Sequence, residues 1–105
     1  MVTKVERIGG TRLLKVHKDL VDMKTGEAFK AALMDLYSDG ETVIILDFKE
    51  INRINSHGIG KILMFYKKFR ETGGQIFLAP LEGPVKEIFD TLMIDKLIPK
   101  ISSLA

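Results

Sequence analysis

The chain has 105 residues, 46% of them hydrophobic, and its 16 basic and 14 acidic side chains leave a net charge of +2. That is enough sequence for one domain with one core, and its lysines and arginines are spread along the chain, which argues against the concentrated basic face of a direct nucleic-acid binder. The absence of cysteine rules out a disulfide framework or thiolate metal site and fits a reducing compartment, and no run approaches the ~18 apolar residues of a membrane span.

The N-terminal stretch "MVTKVERIGG" lacks the apolar run of a signal peptide, so the expected location is the cytoplasm, with no membrane contact. The first elements are "TKVERI" and "TRLLKV". Gly9-Gly10 between them suits a two-residue primed turn, so the chain is expected to open with an antiparallel hairpin. From Thr25 onward, Phe29, Ala32, Leu33 and Leu36 recur at helical spacing. Thr25 stands where a cap would accept from the orphan amides of the first turn, and Asp39-Gly40 stops the helix. The run "TVIILDF" (42–48) is continuously aliphatic and β-branched, as expected of a central strand buried on both faces.

A second helical stripe follows in Ile59, Ile62, Leu63, Tyr66 and Phe69, ending at Gly73-Gly74. "QIFLA" supplies another buried strand. "GPVKEIFDTLMI" places Pro84 in the first helical position ahead of Val85, Ile88, Phe89 and Leu92. In "LIPKI", Pro99 lacks the N–H a ladder needs, leaving an edge strand or a loop. Strands alternating with helices imply parallel pairs joined by right-handed crossovers. The expectation is a single α/β domain over 1–105: a mixed sheet with an N-terminal antiparallel hairpin and helices packed on it.

The stretch "INSHGIGK" (54–61) carries the chemistry worth weighing. Ser56 is placed to cap the second helix, which by itself accounts for a serine there. Glycine costs up to ~1 kcal/mol relative to alanine inside a helix, so Gly58 and Gly60 point to something approaching the backbone closely, either another part of the same domain or a partner.

A phosphate-binding P-loop is excluded by spacing, since Asn55 stands where its first glycine belongs and Ile62 where its Ser or Thr belongs. A dinucleotide fingerprint is excluded by Leu63 in place of a third glycine. Ser56 and His57, adjacent on a helix, diverge by about 100°, which is poor geometry for a nucleophile and its base. Two separated histidines without cysteine assemble no metal cluster. No enzyme and no cofactor is expected. With Ile59, Ile62, Leu63, Tyr66 and Phe69 turned inward, His57, Lys61, Met64 and Lys68 share the opposite side, and Ser56, His57, Lys61 and Met64 form a partner-facing patch.

From "VIILDF" through "MIDKLIPKI" (93–101) the chain resembles the anti-sigma-factor antagonists, whose domain is called STAS and is shared with sulfate-transporter C-terminal regions. That family has an apolar strand ending in Asp-Leu, then Asp-Ser-Ser-Gly-Leu-Gly, an amphipathic helix, a Gly-Gly turn and a strand. Here Asp47-Phe48, Asn55-Ser56-His57-Gly58-Ile59-Gly60 and Gly73-Gly74 stand in those places. "MIDKLIPKI" is similar to the family's Gly-Leu-Asp-Lys-Leu-Phe ending and "DLVDMKT" (19–25) to its Glu-Leu-Asp-x-x-Thr lead into the first helix.

The resemblance implies a switch in transcription regulation by partner switching. The chain would bind an anti-sigma factor that is also a serine protein kinase, free a sigma factor, and be turned off by phosphorylation. By position the acceptor is Ser56, with Asp22 near it and Asn55, His57, Gly58, Gly60, Lys61 and Met64 completing the contact; Ser102 and Ser103 are the other acceptors to test against it. The free chain is expected to be a monomer. Asn55 for the family's aspartate removes a negative charge beside the hydroxyl, and His57 for its second serine puts a titratable ring on the contact face. Other functions compatible with the domain are nucleotide or small-ligand sensing and a scaffold role in a signalling complex.

Overall fold

The computed structural model describes residues 1–102. Strand β1 (Thr3–Ile8) turns at Gly9-Gly10 and returns antiparallel as β2 (Thr11–Val16), with Ile8 opposite Thr11. Gly9 sits at φ 60, the left-handed region that a primed turn needs. Helix α1 (Met23–Ser38), strand β3 (Val43–Asp47), helix α2 (Ser56–Glu71) and strand β4 (Gln75–Leu78) follow, then helices α3 (Gly83–Thr91) and α4 (Ile94–Leu97).

The sheet order is β1-β2-β3-β4, with β2, β3 and β4 parallel. The expected central strand is therefore interior, flanked on both sides. The two crossovers, through α1 and α2, step in the same direction across the sheet, and right-handed connections of that kind put their helices on one face. The main core lies there. Leu14, Val16, Ile44, Leu46, Ile76 and Leu78 of the sheet meet Phe29, Leu33, Phe65, Phe69, Val85 and Phe89 of the helices. Fully burying one such side chain contributes about 1.5–3 kcal/mol. The opposite face carries the smaller cluster of Leu13, Ile45 and Ala79, edged by Phe77 and Ile101.

Several local expectations change. In α3, Gly83 precedes Pro84 as the first helical residue, and Leu92, expected in the apolar stripe, is the C-cap and exposed. Helix α1 starts at Met23, with Asp22 as its cap; the Asp22 carboxylate accepts from the Thr25 N–H at 2.8 Å and from the Thr25 hydroxyl at 3.0 Å. Thr25 is thus the capped residue and not the cap. Helix α2 is capped by Asn55, whose Oδ1 accepts from the Gly58 N–H at 2.9 Å, so Ser56 becomes the first helical residue.

The buried arc of α2 runs through Gly58, Ile59, Ile62, Phe65 and Phe69, while Leu63 and Tyr66 are only half-buried. That is a rotation of roughly 50° from the expected stripe. It carries Lys61 and Lys68 to the α1 side, where the Lys68 ammonium lies 5.6 Å from the Tyr37 ring centre. Finally, "LIPKI" supplies the end of α4 and then one parallel bridge, in which Leu78 N–H donates to Pro99 O and Ile101 N–H to Leu78 O, both at 2.9 Å. Pro99 offers only its carbonyl, which is all this edge asks of it.

A candidate partner-binding site at two paired helix starts

The site is assembled by two loops that follow neighbouring strands. After β3, Phe48 packs its ring between Phe29 of α1 and Phe89 of α3, at centroid distances of 6.0 and 5.8 Å. Ile51 and Ile54 are also buried, so the connection from β3 to α2 is nailed to the core at three points. Asp47, itself buried at the end of β3, accepts from the Lys49 N–H at 2.9 Å and fixes the departure of the loop.

The other loop, between β2 and α1, is stapled to this one. Leu20 N–H donates to Arg53 O at 3.0 Å and Asn55 N–H to Leu20 O at 2.9 Å, forming a parallel bridge between Leu20 and Ile54. Asp19 reinforces it by accepting from the Asn52 N–H at 2.8 Å, the Arg53 N–H at 3.1 Å and Arg53 Nε at 3.4 Å. Those donors, Asn52 first, hold its carboxyl below the usual carboxylate range. Asp22 lies two residues beyond this bridge and Asn55 one, so the two helix caps emerge side by side. The Thr25 N–H bond, and next the Thr25 hydroxyl, keep Asp22 ionised to lower pH than an ordinary aspartate.

Between the two helix starts lies a cleft of about 310 Å³. Asp22, Met23, Gly26 and Glu27 line it from α1; Asn55, His57, Gly58 and Lys61 line it from the other side. One wall is acidic and the other basic. The structure thus brings together Asp22, Asn55, His57, Gly58 and Lys61 from the expected set. Ser56 is exposed beside the cleft without lining it, and among the described residues its hydroxyl makes no hydrogen bond. Met64 and Gly60 are exposed on α2 away from the cleft.

The two glycines prove different. A Cβ at Gly58 would come within 2.8 Å of Ile54 Cγ1 and 3.3 Å of Leu20 Cβ, so its closeness is internal and belongs to the bridge. A Cβ at Gly60 would meet nothing within 4 Å. Lys61 is half-buried and runs back across Gly26, where an added Cβ would lie 3.6 Å from its ammonium. The sequence reading missed Met23, Gly26 and Glu27 on the α1 wall, of which Met23 is 82% exposed at the cleft. It is the first residue of α1 as Ser56 is of α2, and placing the cap at Asp22 would have found it.

A search of known proteins finds relatives of this arrangement. BtrV of Bordetella bronchiseptica, named as an anti-sigma factor antagonist, is 25% identical over 103 residues, 98% of this chain and 88% of that protein. The crystal structure of a Thermotoga maritima protein described as an anti-sigma factor antagonist superposes with a TM-score of 0.84 at 19% identity, covering 93% of this chain and 84% of that one. The Bacillus cell-fate determinant SpoIIAA, solved in its phosphorylated form, gives a TM-score of 0.73 at 18% identity over 95% and 91% of the two chains. The STAS domain pattern itself matches residues 3–105, from the first strand to the end of the chain. With the hairpin-led mixed sheet and the paired helix starts, that match shows that this chain belongs to the STAS domain family.

Proposed function

We propose that this chain is an anti-sigma factor antagonist, that its partner is an anti-sigma factor with serine kinase activity which docks on the paired helix starts, and that phosphorylation of Ser56 ends the binding. The observation that carries this reading is the position of Ser56: exposed, first in α2, its hydroxyl uncommitted because Asn55 provides the cap. It stands at the family's acceptor position, and a structural relative is known in a phosphorylated form.

A phosphate there adds about −1.5 to −2 charges at a helix N-terminus, where the aligned peptide dipoles favour an anion by about 0.3–1 kcal/mol. The fold therefore tolerates the group. The partner does not, because the phosphate sits beside a cleft already lined by Asp22 and Glu27, and brings a hydration shell into a close contact. The same two carboxylates on the cleft wall oppose a polyphosphate ligand, which weighs against nucleotide sensing.

The experiment is a comparison of Ser56→Ala and Ser56→Asp with the cognate partner. Since Asn55 is the cap, Ser56→Ala should change stability by no more than about 0.5 kcal/mol and should bind with or without ATP. Ser56→Asp should fold as well and bind at least about tenfold more weakly. Mass spectrometry after incubation with partner and ATP should place phosphate on Ser56. Phosphate confined to Ser102, or to Ser103, which lies outside the described residues, would overturn the assignment.

A further inference from the structure

Strand β1 forms one open edge of the sheet. Its backbone parity is fixed by two facts: the Gly9-Gly10 turn closes on the Ile8–Thr11 pair, and His17 N–H donates to Val2 O at 2.7 Å. Val2, Lys4, Glu6 and Ile8 therefore bond inward to β2, and Thr3, Val5 and Arg7 present N–H and C=O groups outward. Val5 and Ile8 on this edge are 40% and 37% exposed.

Charge on the edge is unbalanced in a specific way. Lys4 stands directly opposite Lys15, and the single carboxylate of Glu6 serves both, at 3.5 Å from Lys4 Nζ and 3.6 Å from Lys15 Nζ. Lysine on an edge strand ordinarily discourages pairing. Here the alternation of Lys4 and Glu6 makes the strand complementary to itself.

We infer that β1 pairs antiparallel with β1 of a second copy of this chain, in the register that sets Val5 against Val5 across a two-fold axis normal to the sheet. Outward groups can meet only outward groups, which limits the register to steps of two. Sliding one step brings Lys4 onto Lys4 of the other copy; sliding the other way brings Glu6 onto Glu6. In the chosen register Thr3 and Arg7 pair with each other and Val5 with itself, each pair exchanging both backbone bonds. On the bare face of the sheet, Lys4 meets Glu6 of the second copy and Val2 meets Ile8, so the contact is isologous in both charge and apolarity.

The product is one continuous eight-stranded sheet with all helices on one side. Because the two β2 strands then run in opposite directions, the two clefts lie at opposite ends of the sheet and both stay open. An edge this short is below the area of a stable interface, so the dimer should be weak, on the order of 100 µM, and replaces the monomer expected for the free chain at high concentration.

The test is sedimentation velocity from about 10 µM to about 1 mM, with amide exchange at both ends of that range. Weight-average mass should rise toward the dimer, and the amides of Thr3, Val5 and Arg7 should gain protection only at high concentration, while those of Lys4 and Glu6 are protected throughout. Val5→Pro removes an outward N–H, a change an edge strand tolerates, and should weaken association at least about tenfold while leaving the melting temperature of the dilute protein within a few degrees. Lys4→Glu should also abolish association, and Lys4→Glu with Glu6→Lys should restore it to within about threefold. A mass that stays monomeric at about 1 mM overturns the proposal, as does association that survives Val5→Pro and Lys4→Glu. Protection of Thr3, Val5 and Arg7 that comes only on adding the anti-sigma partner would assign the edge to a strand of that partner instead.

Discussion

At the start of α1 the cap is a carboxylate that accepts from both the amide and the hydroxyl of Thr25, and the next residue is an exposed methionine. At the start of α2 the cap is a neutral amide that accepts once, from Gly58, and the next residue is an exposed serine. The two ends have the same geometry and lie against each other through the Leu20–Ile54 bridge, yet the first has its positive dipole answered by an anion and the second does not. Separating the cap from the hydroxyl at α2 leaves Ser56 chemically unoccupied, and the neutral Asn55 leaves the helix end receptive to an anion. A helix start can thus carry a charged cap or leave a hydroxyl free, and this pair divides the two.

The largest effect should come from prying the two starts apart. Gly58→Val would drive side-chain atoms into Ile54 and Leu20, both buried beneath the bridge, and should cost about 2–3 kcal/mol in urea unfolding. A loss below about 0.5 kcal/mol would mean that the bridge does not hold the ends together.

The next test separates the caps by charge. Asn55→Ala should cost about 1 kcal/mol at any pH, because an amide does not titrate. Asp22→Ala should destabilise at neutral pH only. The folded carboxyl is held below its ordinary value of 3.8, so its contribution is complete above that value and vanishes as pH falls through the depressed one. Urea midpoints of wild type and Asp22→Ala should therefore converge in acid, and parallel curves would show that the carboxylate's charge is immaterial. Asp19, depressed in the same direction, contributes equally to both proteins and cancels.

The smallest effect is a gain. Gly60→Ala, on the open side of α2, should stabilise by about 0.5–1 kcal/mol through helix propensity alone. On the proposed reading, its effect on affinity for the anti-sigma partner would then measure how closely that partner approaches the turn.

The sheet was legible in the sequence because its signals are local: two glycines between short strands, and an aliphatic run with no alternation. The helix starts were harder. "DMKT" offers both Asp22 and Thr25, and "INS" offers both Asn55 and Ser56; all four types cap helices, and only the burial of Gly58 beneath Ile54 decides the second case. Phe65 stands outside the stripe of Ile59, Ile62, Leu63, Tyr66 and Phe69 that periodicity picks, because packing against α1 rotates the buried arc. The cleft itself was not legible. It depends on Leu20 finding Ile54 and Asp19 finding the amides of Asn52 and Arg53, pairings that no local periodicity announces.

The connection that runs from Phe48 to Ile54 has one more consequence. Held in the core by three buried side chains, it gives Ser56 a platform that a surface charge has no means of melting. On the proposed reading, phosphorylation there would alter what the protein holds while leaving its unfolded fraction nearly constant. Proteases act on that fraction, so on the same reading the modified and unmodified forms should be degraded at similar rates. The stock of antagonist would then persist through repeated cycles of modification, and its recovery would require a phosphatase and no new synthesis.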